Sequence, residues 1–445
     1  MTDENLFMRL FLLFIAIVFS LPLHAGPTAG PMLGPVARHT ATIWVQGDRP
    51  ATVALEVAPE NPAQPAWTTA SASLAAADDF TARFDLSGLA AGTAYRYRLV
   101  WNGTVLDASH GFTTRARQAG DFKLYLGSCA HLHDPEVDFG KAWSGSYEIY
   151  DRIAADADAD ADTQANLMLW LGDNIYLRAN DYESPAGMAR RYQKVRSHPA
   201  LQKLLPALPH YAIWDDHDYG PNDHNRSFVF KQASLDLFRR YWPNPGAGLP
   251  GAPGIFTAFS VADADFFLLD GRWYRDSDRE QSSAGKALFG PEQMRWLKNA
   301  LLASRARFKF IAAGSQFLND LSRFEGWHNF REERTAFLDW LKANKVNGVI
   351  FLSGDRHHTE LLRLDREDNY PLYELTCSPL SSGLHPVQPA EAANPARVPG
   401  TLVSAHNYCT LAAEGSGNAR SLVMQSRDAA GRVLWEARLE AGALK

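Results

Sequence analysis

Six times in this chain a short apolar run stops abruptly and releases polar side chains able to do chemistry. Residues 122–126 end in Gly127-Ser128-Cys129, and 166–171 end in Gly172-Asp173-Asn174-Ile175-Tyr176. Residues 208–213 end in Trp214-Asp215-Asp216-His217-Asp218-Tyr219-Gly220-Pro221-Asn222-Asp223. Residues 266–269, 308–312 and 349–352 end in Asp270-Gly271-Arg272, in Ala313-Gly314-Ser315-Gln316 and in Ser353-Gly354-Asp355-Arg356-His357-His358. Apolar runs of this length bounded by turn residues read as strands buried on both faces. Helical stretches such as 291–304 and 332–344 separate some of them. Strand, polar loop and helix in repetition constrain the chain to a layered α/β fold with its chemistry at the strand ends.

The first part of the chain follows another rule. Residues 40–46, 51–57, 80–86 and 95–101 alternate apolar with polar, with a turn at Asn102-Gly103 before the run to Thr114. Short alternating strands at even spacing predict a β-sandwich. The segment Gly88-Leu89-x-x-Gly92-Thr93-x-Tyr95-x-Tyr97 resembles fibronectin III and immunoglobulin-like modules. The division expected is a sandwich over 26–117 and a main domain over 118–445. The strand-like runs 409–412, 421–426 and 433–439 are expected to close the main sheet.

Residues 9–25 carry a basic residue, an apolar run, Pro22 and then small residues. That is the grammar of a Sec-type signal peptide over 1–25, with the true start at Met1 or Met8. It predicts a periplasmic or secreted protein with no membrane span after cleavage. Net charge is −6 and no Lys/Arg run stands out, which argues against sequence-specific binding of nucleic acid. Three cysteines are too few for a disulfide-built scaffold, and an odd count leaves one thiol free or metal-bound. Cys377 and Cys409 are candidates to pair, a choice the sequence leaves open. The acidic repeat 154–162 lacks the glycine and terminal glutamate of a calcium loop and reads as a solvated helix end.

Asp173 and Tyr176 are spaced so that a carboxylate and a phenolate can hold one ion. Asp355 and His357 flank Arg356, so both can enter one pocket. Carboxylate and phenolate oxygens suit a hard cation, and the Cys129 thiolate with an imidazole adds a softer side that suits iron or zinc. A second ion among Asp173, Asp216 and Asp355 would meet mostly oxygen, as calcium, magnesium or manganese prefer. Two ions sharing Asp173 would polarise a phosphoryl oxygen and acidify a water. His217 is then placed to protonate a leaving alcohol or hold a phosphate oxygen. Asp215 and Asp218 are expected to orient His217. His131 and His133 read as solvated loop residues, and His358 as a bystander or support for His357. The insertions 180–198 and 241–254 are expected to line the pocket.

Together these motifs resemble the PhoD-like alkaline phosphatases, within the calcineurin-like metallophosphoesterases, from about residue 32 onward. The pieces that match are Gly127-Ser128-Cys129, Gly172-Asp173-x-x-Tyr176, Trp214-Asp215-Asp216-His217-Asp218, Leu269-Asp270-Gly271-Arg272-x-Tyr274-Arg275, Gln316 and Ser353-Gly354-Asp355-x-His357. The resemblance implies a four-layer αββα metallophosphoesterase domain after the sandwich, holding Fe3+ and Ca2+, with Zn2+, Mn2+ or Mg2+ as alternatives. It assigns Cys129, Asp173, Tyr176 and His357 to iron, and Asp173, Asp216, Asp355 and Asn222 to calcium. Asp216 and His217 are the implied catalytic pair, and Arg272 is implied to meet phosphate. Cys377 stands where a small hydroxyl residue is expected. The implied enzyme is a monomeric phosphoric ester hydrolase acting on a small phosphate mono- or diester, a phospholipid being one form of the latter. A phospholipase-D-like or purple-acid-phosphatase-like hydrolase is the nearest rival, although the latter would carry Gly-Asn-His-Glu at 215–218 and Asp at 129. A non-enzymatic extracytoplasmic binding protein is the more distant rival.

Overall fold

The computed structural model describes residues 26–61, 67–116, 120–138, 143–160, 166–281 and 283–445. The expected signal peptide lies outside the described residues. Strands β1 (Ala29–Val36), β2 (Ala41–Gln46), β3 (Ala51–Pro59), β4 (Thr68–Leu74), β5 (Thr81–Leu86), β6 (Ala94–Trp101) and β7 (Thr104–Thr113) form two antiparallel sheets, ordered β1-β2-β5 and β4-β3-β6-β7. Alternation dictates this part. In β3 every second residue from Ala51 to Val57 is buried, and the sandwich interior collects Ile43, Val45, Val53, Leu55, Tyr97 and Leu99.

The other face of β1 and β2 belongs to the main core. Ala29, Met32 and Trp44 pack there. The Trp44 indole donates to the Arg240 carbonyl at 2.9 Å and lies 5.7 Å from the Tyr241 ring. The Leu33 amide donates to the Leu205 carbonyl at 2.9 Å, and the Arg240 guanidinium pairs with Asp79 at 2.6 Å. The sandwich is thus docked by backbone and side-chain bonds as well as by apolar contact.

The main domain has two six-stranded sheets. β8 (Phe122–Gly127), β9 (Asn166–Leu171) and β10 (His210–Ile213) run parallel. β11 (Thr257–Val261), β12 (Ala264–Leu268), β13 (Phe308–Ala312), β14 (Val349–Ser353), β15 (Glu360–Arg366) and β16 (Asn369–Thr376) form the second sheet in the order β11-β12-β13-β14-β16-β15. β17 (Asn407–Glu414), β18 (Ser421–Asp428) and β19 (Val433–Glu440) extend the first through antiparallel pairing of β17 with β8, as the sequence predicts.

The sheets stack face to face. The Phe122 ring meets Phe266 at 6.5 Å and Tyr211 meets Phe259 at 3.8 Å across the interface. Phe267, pointing the other way by the strand period, meets Trp296 of helix Pro291–Ala303 at 6.4 Å. On the outer side of the first sheet, Tyr150 of helix Glu148–Ala159 lies 6.3 Å from Trp170. That gives the αββα order expected. A disulfide joins Cys377, just beyond β16, to Cys409 on β17, so it ties the two sheets together. The acidic repeat proves to be less solvated than its composition suggests: Tyr125 and Lys123 bond Asp160, and Arg152 and Tyr408 bond Asp156.

Candidate metal centre

All the parallel strands of both sheets point their carboxyl ends at one edge. The loops there are laced to one another. The Cys129 amide donates to the Gly172 carbonyl at 3.2 Å and the Ala130 amide to the Asp173 carbonyl at 2.8 Å. The Gly354 amide donates to the Gly314 carbonyl at 2.8 Å, bridging the loops after β13 and β14. Asp218 accepts from the amides of Asp215, Asn174 and Ile175 at 2.9–3.2 Å, which locks the loop after β10 onto the loop after β9. Burial raises the Asp218 carboxyl to about 7, against the pull of those amides. Asp218 therefore holds backbone and does not touch His217, contrary to the role expected of it.

The backbone at this edge is unusual. Cys129, Asp173, Asp355 and His357 all have positive φ, between 53° and 67°. L-residues avoid that region unless the surroundings enforce it, at a cost of about 1–3 kcal/mol each. Enforcement is visible: a Cβ at Gly172, itself at φ 94°, would strike Asp215, and one at Gly354 would strike Ser128 and the Leu171 carbonyl.

The side chains converge. Cys129, Asp173 and His357 bring ligand atoms within 4.8 Å of one another, as do Asp173, Asp216 and His217, and as do Asp215, Asp216 and Asp355. Asp173 links the first two groups and Asp216 the last two. The Tyr176 hydroxyl lies 3.2 Å from Asp173 Oδ2, and the Cys129 thiol 3.5 Å from the same oxygen. His357 Nδ1 faces the Gly383 carbonyl, so it carries the proton and Nε2 is left as the free donor atom. Buried Asp173 Oδ1, Asp215 Oδ2 and Asp216 Oδ1 have no hydrogen-bond partner.

The electrostatics agree with a cation site. Burial, then Asp216 and Cys129, push the Asp173 carboxyl well above its usual range. Burial and Asp355 push the Cys129 thiol up to about 12. Burial opposes ionisation of Asp216, but His217 and Arg272 overcome it and hold that carboxyl low. Buried anionic groups this crowded, with unpartnered oxygens, fit bound cations. The thiol, phenol and imidazole suit a softer ion on the Cys129 side, and the carboxylates a harder one on the Asp355 side.

A cavity of ≈ 310 Å³ opens over this floor. Asp173, Asp216, His217, Asn222, Asp355 and His357 all line it. Neither insertion expected to line it does so. The rest of its wall comes from Trp143, Asp223, Phe324, Glu325, Arg356, His358 and the segment around His385–Glu391. The Tyr176 ring stacks on His217 at 4.3 Å, and His385 stacks on His357 at 4.1 Å.

Several sequence readings change here. Arg272 does not reach the cavity. It is fully buried: its Nε donates to Asp215 Oδ1 at 2.6 Å, and both terminal nitrogens engage Glu325. Its charge stands beneath Asp215 and Asp216, with no donor left for a phosphate. Asp215 accordingly serves Arg272 and one ligand group, and does not orient His217. Gln316 turns away, donating to Glu360 and Thr376 at 2.8 Å each. His131 is buried against the Tyr176 ring at 4.9 Å instead of solvated, and burial with Arg178 lowers its pKa to about 3. His358 lines the cavity, 3.5 Å from Glu360. Cys377 is accounted for by its disulfide, and Cys129 is the one free thiol among the described residues. The sequence missed Asp215 as a ligand-group member. Its signal was the doublet Asp215-Asp216, since neighbours at a sharp turn can both point inward.

The family profile described as PhoD-like phosphatase matches residues 124–422, two thirds of the chain. The chain belongs to the PhoD-like phosphatase family. A second profile, a domain of unknown function (DUF7800), matches residues 25–118 of this PhoD-like chain. The chain is 25% identical over 260 residues to alkaline phosphatase D of Bacillus subtilis (strain 168), a match over 48% of the chain and 43% of that relative. It thus spans less than half of that relative's length. A solved structure of PhoD superposes with a TM-score of 0.75 at 17% identity, covering 94% of this chain and 90% of that one. The purple acid phosphatase PPD1 from yellow lupin (Lupinus luteus) seeds superposes at 0.66 and 11% identity, covering 92% and 74%. At such identities the two superpositions speak for the fold alone. Among the described residues no helix is long and apolar enough to cross a membrane.

Proposed function

We propose that this PhoD-like chain is an exported, monomeric phosphoric ester hydrolase acting on phosphate mono- or diesters. The observation that carries the reading is the chain of ligand groups sharing Asp173 and Asp216 on the floor of a cavity. Cys129, Asp173, Tyr176 and His357 would hold a ferric ion, and Asp173, Asp216 and Asp355 a calcium ion, with Asn222 and Asp215 as further donors. Bound cations supply phosphoryl polarisation and a water acidified toward neutral pH.

The protein's own groups do the rest. His217, on the cavity wall beside Asp216 at 3.9 Å, donates a proton to the departing alcohol or holds a phosphoryl oxygen. Stacking on Tyr176 fixes its ring plane. His217 and, from below, Arg272 keep Asp216 ionised, so that it would bind a cation and not a proton. The sandwich over 26–117 is read as a structural flank and 118–445 as the hydrolase.

Metal analysis of the purified protein, combined with assays on monoesters, diesters and phospholipids, tests the reading. Iron with calcium and hydrolysis of at least one ester class are expected. Zinc alone would remove the iron assignment, and a metal-replete protein inert on every ester would remove the function.

A further inference from the structure

The cavity wall is acidic. Asp173, Asp216, Asp223, Glu325, Asp355 and Glu391 all face it. A phosphate ester entering it needs a fixed positive donor besides any bound cation. Among the described residues that line the cavity, one is permanently cationic, and that is Arg356.

Three observations set Arg356 apart from an ordinary surface arginine. First, it is 8% exposed, yet it lines the cavity. Positive φ at Asp355 and His357 and a bond from its amide to the Gly354 carbonyl at 2.8 Å kink the loop, so that Asp355, Arg356 and His357 all line the cavity. Second, the guanidinium is held in place. One terminal nitrogen donates to Glu391 Oε1 at 2.6 Å, the other stands 3.8 Å from Asp355, and the plane lies over the Phe324 ring at 5.2 Å. Third, its buried Nε–H has no protein partner. A buried donor without a partner is costly, and a guanidinium edge is matched to the oxygens of a phosphate. Arg272 offers the contrast. It is consumed by Asp215 and Glu325 and is not on the wall.

We propose that Arg356 grips the non-bridging oxygens of the substrate phosphoryl group, with Glu391 and Phe324 fixing its orientation. The proposal rests on the phosphoesterase reading for its substrate, but phosphate binding can be measured without turnover.

The test uses the metal-loaded protein, inorganic phosphate as probe, and Arg356→Ala, Arg356→Gln and Arg356→Lys. Direct titration with phosphate is run beside metal analysis, thermal melting and kinetics on one chromogenic monoester. The expected result is a 10- to 100-fold weaker phosphate affinity in Arg356→Ala and Arg356→Gln, roughly the worth of a charge-assisted bond. Metal content is retained and KM rises more than kcat falls. Arg356→Lys recovers only part, because an ammonium lacks the planar fork. Arg356→Gln supplies the answer should the alanine variant fail to fold. Unchanged phosphate affinity in a folded, metal-replete variant overturns the proposal. A wild-type protein that hydrolyses no ester, but whose phosphate binding still depends on Arg356, overturns the hydrolase reading and leaves this assignment standing.

Discussion

In strands β3 and β6 of the sandwich, Val53, Leu55, Tyr97 and Leu99 turn inward and polar residues such as Thr52, Glu56 and Arg96 turn out. At the loop edge the rule is inverted: Cys129, Asp173, Asp215, Asp216 and Arg272 are each at most 3% exposed, and apolar residues such as Trp143 and Phe324 stand half exposed at the cavity mouth. The first region lowers free energy by burying apolar surface. The second buries ionisable groups and strained backbone, which stability alone would select against. The comparison teaches that the edge is held in shape by its immediate surroundings, chiefly the interlaced loops and the sheets they follow, in an arrangement suited to cations.

Asp173→Asn is the sharpest way to break the comparison, because Asp173 sits in two of the ligand groups. Hydrolysis of a chromogenic phosphate ester should fall by about 10³-fold or more, about 4 kcal/mol of barrier, with iron and calcium both depleted. Trp44→Ala probes the opposite side. It removes a buried indole and its bond to the Arg240 carbonyl, and should cost about 3 kcal/mol of stability in denaturant titration. KM should be unchanged, since neither Trp44 nor its partners Arg240 and Tyr241 line the cavity. A shift in KM would mean that the two regions are coupled more tightly than their separate cores suggest.

His217→Ala should cost about 10²-fold in kcat with metal content retained, the signature of a lost proton donor. Asp216→Asn should lose metal first. If His217→Ala also empties the site, His217 is a ligand, as its place in the second group permits. A further test concerns acid stability. His210 is buried, accepting from the Trp170 indole at 3.0 Å and facing the Leu204 carbonyl at 3.1 Å. Burial lowers its pKa to about 3, so the folded protein keeps it neutral while the unfolded chain protonates it near 6.5. The unfolded state binds the extra proton, so this contribution is complete above about pH 6.5 and lost as pH falls toward 3, at about 1.4 kcal/mol per pH unit. His210→Gln should flatten that part of the stability–pH curve.

Much of the architecture was legible because periodicity is local. Alternation marked β2, β3, β5 and β6, and the apolar runs located β8, β9, β10, β12, β13 and β14 to within about two residues. β1 was missed because Ala29–Val36 contains two glycines and two prolines, which read as a loop. The mainly surface-facing β4 was missed because Thr68–Leu74 is made of small and hydroxyl residues with no apolar stripe. At the site, residue types pointed to the side chains that converge. Which side of the loop each guanidinium occupies was not announced. Arg272 and Arg356 follow similar strand ends, and only the tertiary positions of Glu325 and Glu391 send one beneath the floor and the other onto the wall. Those partners are distant in sequence and carry no spacing signal.

The pairing of β17 with β8 has a consequence in time. Cys409 sits opposite Leu126, so the sheet that aims Cys129 and Asp173 is completed only when a segment near the far end of the chain arrives. The sandwich closes from its own neighbours and can form early as the chain emerges. The ligand edge cannot, because its strands wait on contacts of very high sequence separation. On the proposed reading, ions would load only once residues 407–414 have joined β8, and the ion supply where that happens would decide which metal is carried.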